Sequence, residues 1–484
     1  MTTTIIFIYL GIVLCIGLLS NRLFRGTGED YFVASRSIGP FLLLMSLFGT
    51  NMTAFAILGA SGEAYHRGIG VFALMPSASA LIIPTVFFFI GTRVWALGKK
   101  HDFLTQVQYF RQRWDSDGFG LLLFVVMIAL LIPYLLIGVM GGGITLAEIT
   151  KGQIPQWAGG LLVCLVVLTY VSFGGMRGTA WANAFQTMVF MILGGVAFFV
   201  IIDKLGGLDN AIAQVSAKHP DLLIRGEHIS PLKMLSYTCI PLSVGMFPHL
   251  FTHWLTAKSA RTFRWPLIFY PLCIAIVWLP SVLLGLFGHL DFPGLKGPMA
   301  NSVLVKMIDM HAPGVLAGLL AAGVFAAIMS SLDSQVLSIS NMFTQDIVRH
   351  YRKDSPLSEK SQVLWGRIFV FFIFAITYGL SLISARSIFT LAVWSFTGFA
   401  SLFPIIVAAI FWRRSTKTGA FASVITVAVL WCYFFFQGWK IPGYTVGMSG
   451  AMPVALILAA SAVAIVVGSL LSKPPQESTL EKFF

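Results

Sequence analysis

Apolar residues run in blocks of about 20 along the whole chain, separated by short polar links. A helix needs about that many residues to cross a hydrocarbon layer about 30 Å thick. The pattern predicts spans near 4–20, 38–63, 70–95, 118–147, 157–174, 180–203 and 235–256. Six more follow near 265–289, 313–347, 362–385, 387–412, 418–438 and 449–472, which makes thirteen. The stretch 313–347 is long enough to run past the membrane or bend. The block Thr4–Leu19 lacks the basic start and small-residue exit of a signal peptide, so it is expected to remain as a helix.

Two of these spans carry interruptions. Gly49, Thr50, Asn51 and Thr53 cluster at the middle of the second. An unwound backbone in hydrocarbon is tolerated only where it lines a cavity, although a stripe of small residues is also a helix-packing face. Five spans later, Pro241, Gly245 and Pro248 interrupt Ile240–His249, each proline removing a backbone donor. Disrupted helices at corresponding places in two oppositely oriented five-span units point to an inverted-repeat transporter with a site near the midplane. The halves share no visible sequence identity, so the repeat rests on topology.

Composition supports a polytopic membrane protein. The chain of 484 residues is 57% hydrophobic and 11% charged, against about 25% charged in soluble domains. Its net charge of +13 is spread over the links and forms no basic face, so nucleic acid is not an expected partner. The five cysteines lie inside apolar blocks without CxxC spacing, indicating neither disulfides nor zinc. Of 32 Lys and Arg residues, 22 fall in links after odd-numbered spans or in the C-terminal tail. Basic residues near helix ends stay in the cytoplasm, so the N-terminus is expected outside and the C-terminus inside. The external link 203–233 is too short for a sizeable core, and no output domain is expected in the dozen or so residues after Leu471. No HExxH, membrane-embedded GxSxG or paired carboxylates within one core suggest an enzyme.

The span beginning at His311 places Ala327, Ser330, Ser331 and Ser334 at helical spacings of three and four, one face of small residues and hydroxyls. Asp333 sits among them at mid-span, where an ionised Asp costs roughly 2.5 to 3.5 kcal/mol on insertion scales. Such a residue is paired, protonated or beside an ion path.

The run Ala322–Ser334, followed by Phe343–Ile347, resembles the signature of the sodium/solute symporter family, as do Asp30–Gly39, Gly174–Trp181 and Leu255–Ser259. The resemblance implies the LeuT-type fold: an all-α polytopic protein of about 13 helices. One N-terminal helix and link (1–37) would precede two inverted five-helix repeats (38–203 and 204–412), and two accessory helices and a short tail (413–484) would follow. It also implies a sodium site between the unwound part of the first broken helix and the span that carries Ser330 and Ser331. Gly49, Met52 and Ala327 would give backbone carbonyls, and Ser330 and Ser331 hydroxyls, a set of hard oxygen donors suited to that ion. Asp333 and Ser334 are then a second cation or proton site, or Asp333 is a structural anchor. Many members have Trp-Thr-Asp where this chain has Trp181-Ala-Asn183, and asparagine neutralises no cation, which favours one sodium unless Asp333 substitutes.

Substrate contacts are expected from Thr50, Asn51, Thr53 and Phe55 on the first broken helix and Met246, Pro248 and His249 on the second. The Pro248-His249 pair resembles the proline, pantothenate and monocarboxylate branches rather than the sugar carriers. Half-helix N-termini attract carboxylates. His249 either titrates with substrate or caps freed carbonyls, and His253 marks the cytoplasmic gate. Arg67 and Arg225 either steer anions or are solvated loop charges. The expected protein is thus a sodium-coupled importer of a monocarboxylate or amino acid, working by alternating access in the plasma membrane, a bacterial inner membrane by resemblance. Its partners are the solute, sodium and membrane lipid, with no cofactor beyond the coupling ion; the oligomeric state is left open. A proton-coupled symporter of the same fold and a transporter-like membrane sensor are the alternatives.

Overall fold

The computed structural model describes residues 2–20, 33–226, 229–352, 358–384, 386–439, 441 and 443–484. Three of the 22 basic residues counted on the cytoplasmic side, Arg22, Arg25 and Lys353, lie outside them, as do Asp30 to Phe32 of the family-like run. The described chain is an all-α bundle, and apolar helices occur at each place the hydropathy pattern marks. They are α1 (Thr2–Ser20), α2 (Pro40–Asn51 with Phe55–Arg67), α3 (Gly70–Lys100), α4 (Asp117–Ile149), α5 (Gln156–Ser172) and α6 (Gly175–Lys204). Then come α7 (Pro231–Gly245 with Pro248–Thr256), α8 (Ala260–Asp291), α9 (Gly314–Arg352), α10 (Ser361–Ile383), α11 (Ile388–Phe411), α12 (Lys417–Gly438) and α13 (Pro453–Leu470).

The two interrupted spans are both bent, α2 by 59° and α7 by 49°. In α2 the helix stops at Asn51 because Met52 leaves helical conformation, with φ −90° and ψ 95°. In α7, Pro241 opens a tight 3₁₀ turn over Ile240–Gly245, and Pro248 starts the second half after an extended Phe247. The second half of each helix therefore begins at the break, with its positive dipole end at mid-bundle.

The long stretch predicted at 313–347 is one helix, α9, that runs to Arg352 and ends in a π-helical turn over Phe343–Arg349. Its side chains are buried almost continuously from Ala317 to Met342, so it is the axis of the bundle. It packs on α1, α2, α4 and the α5–α6 pair. Gly49 is what lets α2 meet α6 closely: a methyl group there would overlap Thr187 Oγ1. That hydroxyl donates to the Met45 carbonyl at 3.0 Å, and Ser46 donates to the Ala180 carbonyl at 3.1 Å.

At the end where α3 passes into α4, the helix Gln106–Arg113 lies across the bundle. Asp346 accepts from Thr105 Oγ1 at 2.7 Å and faces Arg111 Nη1 at 3.4 Å. Arg113 donates to the Ala409 and Trp412 carbonyls, and burial lowers its guanidinium to about 10. A C-terminal helix, Glu477–Phe483, docks on the same side. There the Lys482 carbonyl meets His101 Nε2 at 2.7 Å and the Phe483 ring packs against Tyr109.

Candidate functional site

Three groups of residues surround the two breaks. The first joins α2 to α9. Ser330 Oγ donates to the Gly49 carbonyl at 3.0 Å and lies 3.2 Å from the Ala327 carbonyl. Ser331 Oγ lies 3.4 Å from the Ala327 carbonyl and 3.0 Å from that of Ile328. Met52 is buried at the break. These donors are all oxygens and carry no formal charge. Here each hydroxyl hydrogen bridges toward carbonyls; a sodium ion in their midst would take the lone pairs and turn the hydrogens outward. The donor set fits a hard monovalent cation.

The second group lies between the breaks. Tyr134 donates to the Asn51 carbonyl at 3.2 Å, and Asn51 Nδ2 donates to the Tyr270 hydroxyl at 2.8 Å. Thr53 Oγ1 accepts from the Phe55 N–H at 2.9 Å, capping the second half of α2. On α7, Gln106 donates to the Met246 carbonyl at 3.1 Å, while the Pro248 carbonyl accepts from Thr252 at 2.8 Å. A void of about 30 Å³ remains, walled by Asn51, Met52, Phe55, Phe247, Trp278 and Phe396. Of the expected substrate contacts, Asn51 and Phe55 line this void; Thr50, Thr53, Met246, Pro248 and His249 are not among its walls. Thr50 is buried, and its hydroxyl has no partner among the described residues.

His249 caps no backbone carbonyl. Its ring sits beside Phe247 and Tyr134, with centroids at 4.9 and 5.8 Å, and among the described residues neither nitrogen has a partner. The prolines disrupt α7, but its freed carbonyls find other donors, such as Gln106. His253 Nε2 lies 3.2 Å from Ser334 Oγ.

The third group surrounds Asp333. One carboxylate oxygen accepts from the Tyr170 hydroxyl at 3.0 Å; the other has no partner among the described residues. Asn183 Nδ2 donates to Ser334 Oγ at 2.7 Å. Tyr170, Asn183, His253, Asp333 and Ser334 are all buried, so α5, α6, α7 and α9 meet in one polar cluster. Tyr134, Tyr170, Tyr270 and Gln106 were not singled out from the sequence. In an apolar run a tyrosine reads as bulk, and only packing shows where its hydroxyl goes. Arg67 pairs with Glu63 at 2.5 Å, whereas Arg225 is an exposed loop charge.

The model of the Sodium:solute symporter family matches residues 31–426. The chain is similar to the sodium/proline symporter of Escherichia coli (strain K12), 26% identical over 94% of this chain and 90% of that protein. It is also similar to the sodium/pantothenate symporter of the same organism, 26% identical over 87% of this chain and 88% of that one. Among solved structures, a Na+-coupled sialic acid symporter in a substrate-bound outward-open state superposes with a TM-score of 0.80. It covers 98% of this chain and 99% of its own at 18% identity, which shows the fold, a LeuT-type inverted repeat.

Proposed function

Because the chain belongs to the sodium:solute symporter family, we propose that it imports a small carboxylate or amino acid with sodium. As a member of that family it is a multi-pass membrane transporter and not an enzyme. The observation that carries the sodium reading is the bridge from Ser330 to the Gly49 and Ala327 carbonyls beside the break in α2. Gly49, Met52, Ala327, Ser330 and Ser331 hold the ion in this reading, tying α2 to α9 when it enters.

The carboxylate reading is supported by the two half-helix N-termini at Phe55 and Pro248, which present positive dipole ends at mid-bundle. The proline, pantothenate and sialic acid named for the similar proteins each bear a carboxylate. Asn51 and Phe55 are the contacts nearest the void, and Thr50, Thr53, Met246, Pro248 and His249 join them once the void widens to admit solute.

Transport then proceeds as the two ends open in turn. In the proposed orientation, with the N-terminus outside a bacterial inner membrane and the C-terminus within, α2 finishes at the outer end. Sodium and solute bind from that side and leave toward the helix Gln106–Arg113. Each net charge carried inward is driven by about 2.3 kcal/mol per 100 mV, and tenfold accumulation costs about 1.4 kcal/mol. One sodium per neutral or zwitterionic solute is sufficient. With a monoanion and one sodium, transport is electroneutral and the sodium gradient alone drives it.

The partnerless oxygen of Asp333 favours a second reading in which that carboxylate carries a proton or second cation. Uptake into proteoliposomes of labelled proline, alanine, pyruvate, acetate, lactate, pantothenate and galactose, each under a sodium gradient, a proton gradient or neither, decides between them. Sodium-driven uptake of a carboxylate or amino acid upholds the first reading; uptake that follows only the proton gradient transfers coupling to Asp333.

A further inference from the structure

Where α2 finishes, three elements meet around one tyrosine. Tyr65, on the last turn of α2, is buried; its hydroxyl donates to the Phe292 carbonyl at 2.7 Å and accepts from the Leu295 N–H at 3.0 Å. The His289 ring, near the end of α8, lies flat on Tyr65 with centroids 3.8 Å apart. The third element is the link after α6, in which the helix Leu208–Lys218 packs on α8 and the turn Pro220–Leu223 follows it. The Leu222 carbonyl accepts from the Ile69 N–H at 2.8 Å, which seats the link on the end of α2. His219, between helix and turn, brings its ring to 5.0 Å from that of His289.

The hydrogen bonds sort the histidine nitrogens. The Tyr65 carbonyl can only accept, so His289 Nε2, 2.6 Å from it, carries the proton. Nδ1 of the neutral ring then holds a lone pair, and no hydrogen bond among the described residues engages it or either nitrogen of His219. One nitrogen donating to a backbone carbonyl and the other free is how metal-ligating histidines are held. Two imidazoles on one tetrahedral ion, with bonds of about 2.0 to 2.1 Å, have centroids about 5 Å apart. His219 and His289 already stand at that separation, with their planes at 44°.

Both rings are half-buried, so an ion between them stays open to water. Among the described residues no three His, Cys, Asp or Glu side chains converge; two imidazoles are therefore the protein's share, and water completes the shell. Asp221 and His66 are near enough to act on His289 electrostatically, and the negative charge of the exposed Asp221 draws a cation in. Neutral nitrogen donors suit zinc and its transition-metal neighbours, whereas magnesium and calcium want oxygen.

We propose that His219 and His289 form a binding site for a divalent transition-metal ion of the zinc class. The ion fastens the link to α8 and, through Leu222 and Tyr65, makes one piece of the link, α8 and the end of α2. In the proposed cycle this end opens to admit sodium and solute, so the bound ion is a brake. The brake rests on the transport reading above; the site does not.

Zinc sulfate serves as the probe, titrated by calorimetry into the untagged full-length chain in lipid nanodiscs. Saturable binding of a single ion is expected, weakened about tenfold or more by His219→Ala and by His289→Ala. It is expected to persist in His219→Cys, whose thiolate is also a zinc ligand, and to be unchanged in His101→Ala, at the other end of the bundle. Excess magnesium is expected not to displace the zinc. Absence of saturable binding, equal affinity in the wild type, His219→Ala and His289→Ala, or displacement by magnesium overturns the site. His219→Ala separates ligation from folding, because that ring makes no hydrogen bond among the described residues. In proteoliposomes with zinc on both faces, sodium-driven uptake is expected to fall about fivefold or more in the wild type and to hold in His219→Ala. Uptake indifferent to zinc in a protein with the stated binding pattern removes the brake and keeps the site. The same binding pattern in a protein that takes up no carboxylate or amino acid removes the transport reading alone.

Discussion

Ser330 donates its hydroxyl to the Gly49 carbonyl at 3.0 Å, joining residues 281 positions apart across the break in α2. A hydroxyl that bridges two carbonyls in this way is placed to exchange its hydrogen for a cation. Ser330→Ala removes one oxygen ligand and one hydrogen bond, worth about 1 kcal/mol to the fold. The half-saturating sodium concentration for uptake is expected to rise at least tenfold, and that for solute at saturating sodium to change much less. Ser331→Ala is expected to act in the same direction. Uptake against sodium concentration at fixed solute reads both, and an unmoved sodium dependence in both variants rejects the assignment.

Gly49 has a second duty, because a methyl group at its Cα would meet Thr187 Oγ1. Gly49→Ala is expected to destabilise the bundle by about 1 to 3 kcal/mol, the usual cost of overpacking a dense core, and to abolish transport. Thr187→Ala vacates the hydroxyl and should restore part of the loss in the double variant. Thermal unfolding in detergent across the four members of this cycle measures the coupling between α2 and α6.

Asp346 and Arg111 form a pair that is almost wholly buried at the end of α9, with Thr105 as a further donor. Removing one partner strands the other charge, which costs about 3 to 5 kcal/mol in buried pairs. Asp346→Ala is expected to lower the unfolding midpoint more than Asp346→Asn, which still accepts from Thr105. Equal midpoints for the two variants would show that neither charge nor hydrogen bond matters there.

Asp333→Asn keeps an acceptor for the Tyr170 hydroxyl while deleting the charge. If its partnerless oxygen carries a proton or second cation, the charge moved per solute, from current and flux on the same proteoliposomes, falls by about one unit. An unchanged ratio with normal uptake makes Asp333 an anchor for α5.

The proposed orientation is open to a direct check. Met448, in the link between α12 and α13, is 95% exposed. With the native cysteines replaced, Met448→Cys is expected to react with an impermeant maleimide added to intact cells, and Lys482→Cys only after lysis. The reverse pattern inverts the topology.

Much of this arrangement was legible in the chain. Pro241 and Pro248 announced the break in α7 because a missing N–H acts locally, whatever surrounds it. Gly49 to Thr53 announced the other break less firmly, since small residues serve helix packing as well, and both uses occur here: Gly49 packs on Thr187 while Met52 leaves the helix. The serines of α9 were found by periodicity, and Asp333 by the cost of its charge. What stayed hidden were bonds whose two ends lie far apart in sequence, such as Tyr134 to Asn51, Tyr170 to Asp333 and Arg111 to Asp346. A tyrosine hydroxyl at the tip of a large apolar ring leaves no periodic trace, and a basic residue near a helix end looks the same whether it is solvated or locked to a buried carboxylate. The capping alternative for His249 is not realised for a related reason, while its substrate contact stays a proposal. Its identity said that it can bond, while the aromatic neighbours that leave it unbonded come from α4 and α7 together.

The void between the breaks has room for a water or two and no more. Its smallness has an electrical meaning. A continuous thread of water through the bundle would let protons or bare ions run down their gradients without doing work. A plug of Phe55, Phe247, Trp278 and Phe396 interrupts such a thread and insulates one face from the other. In the proposed transport path the same rings part for the solute and, while together, keep the idle protein from draining the gradient.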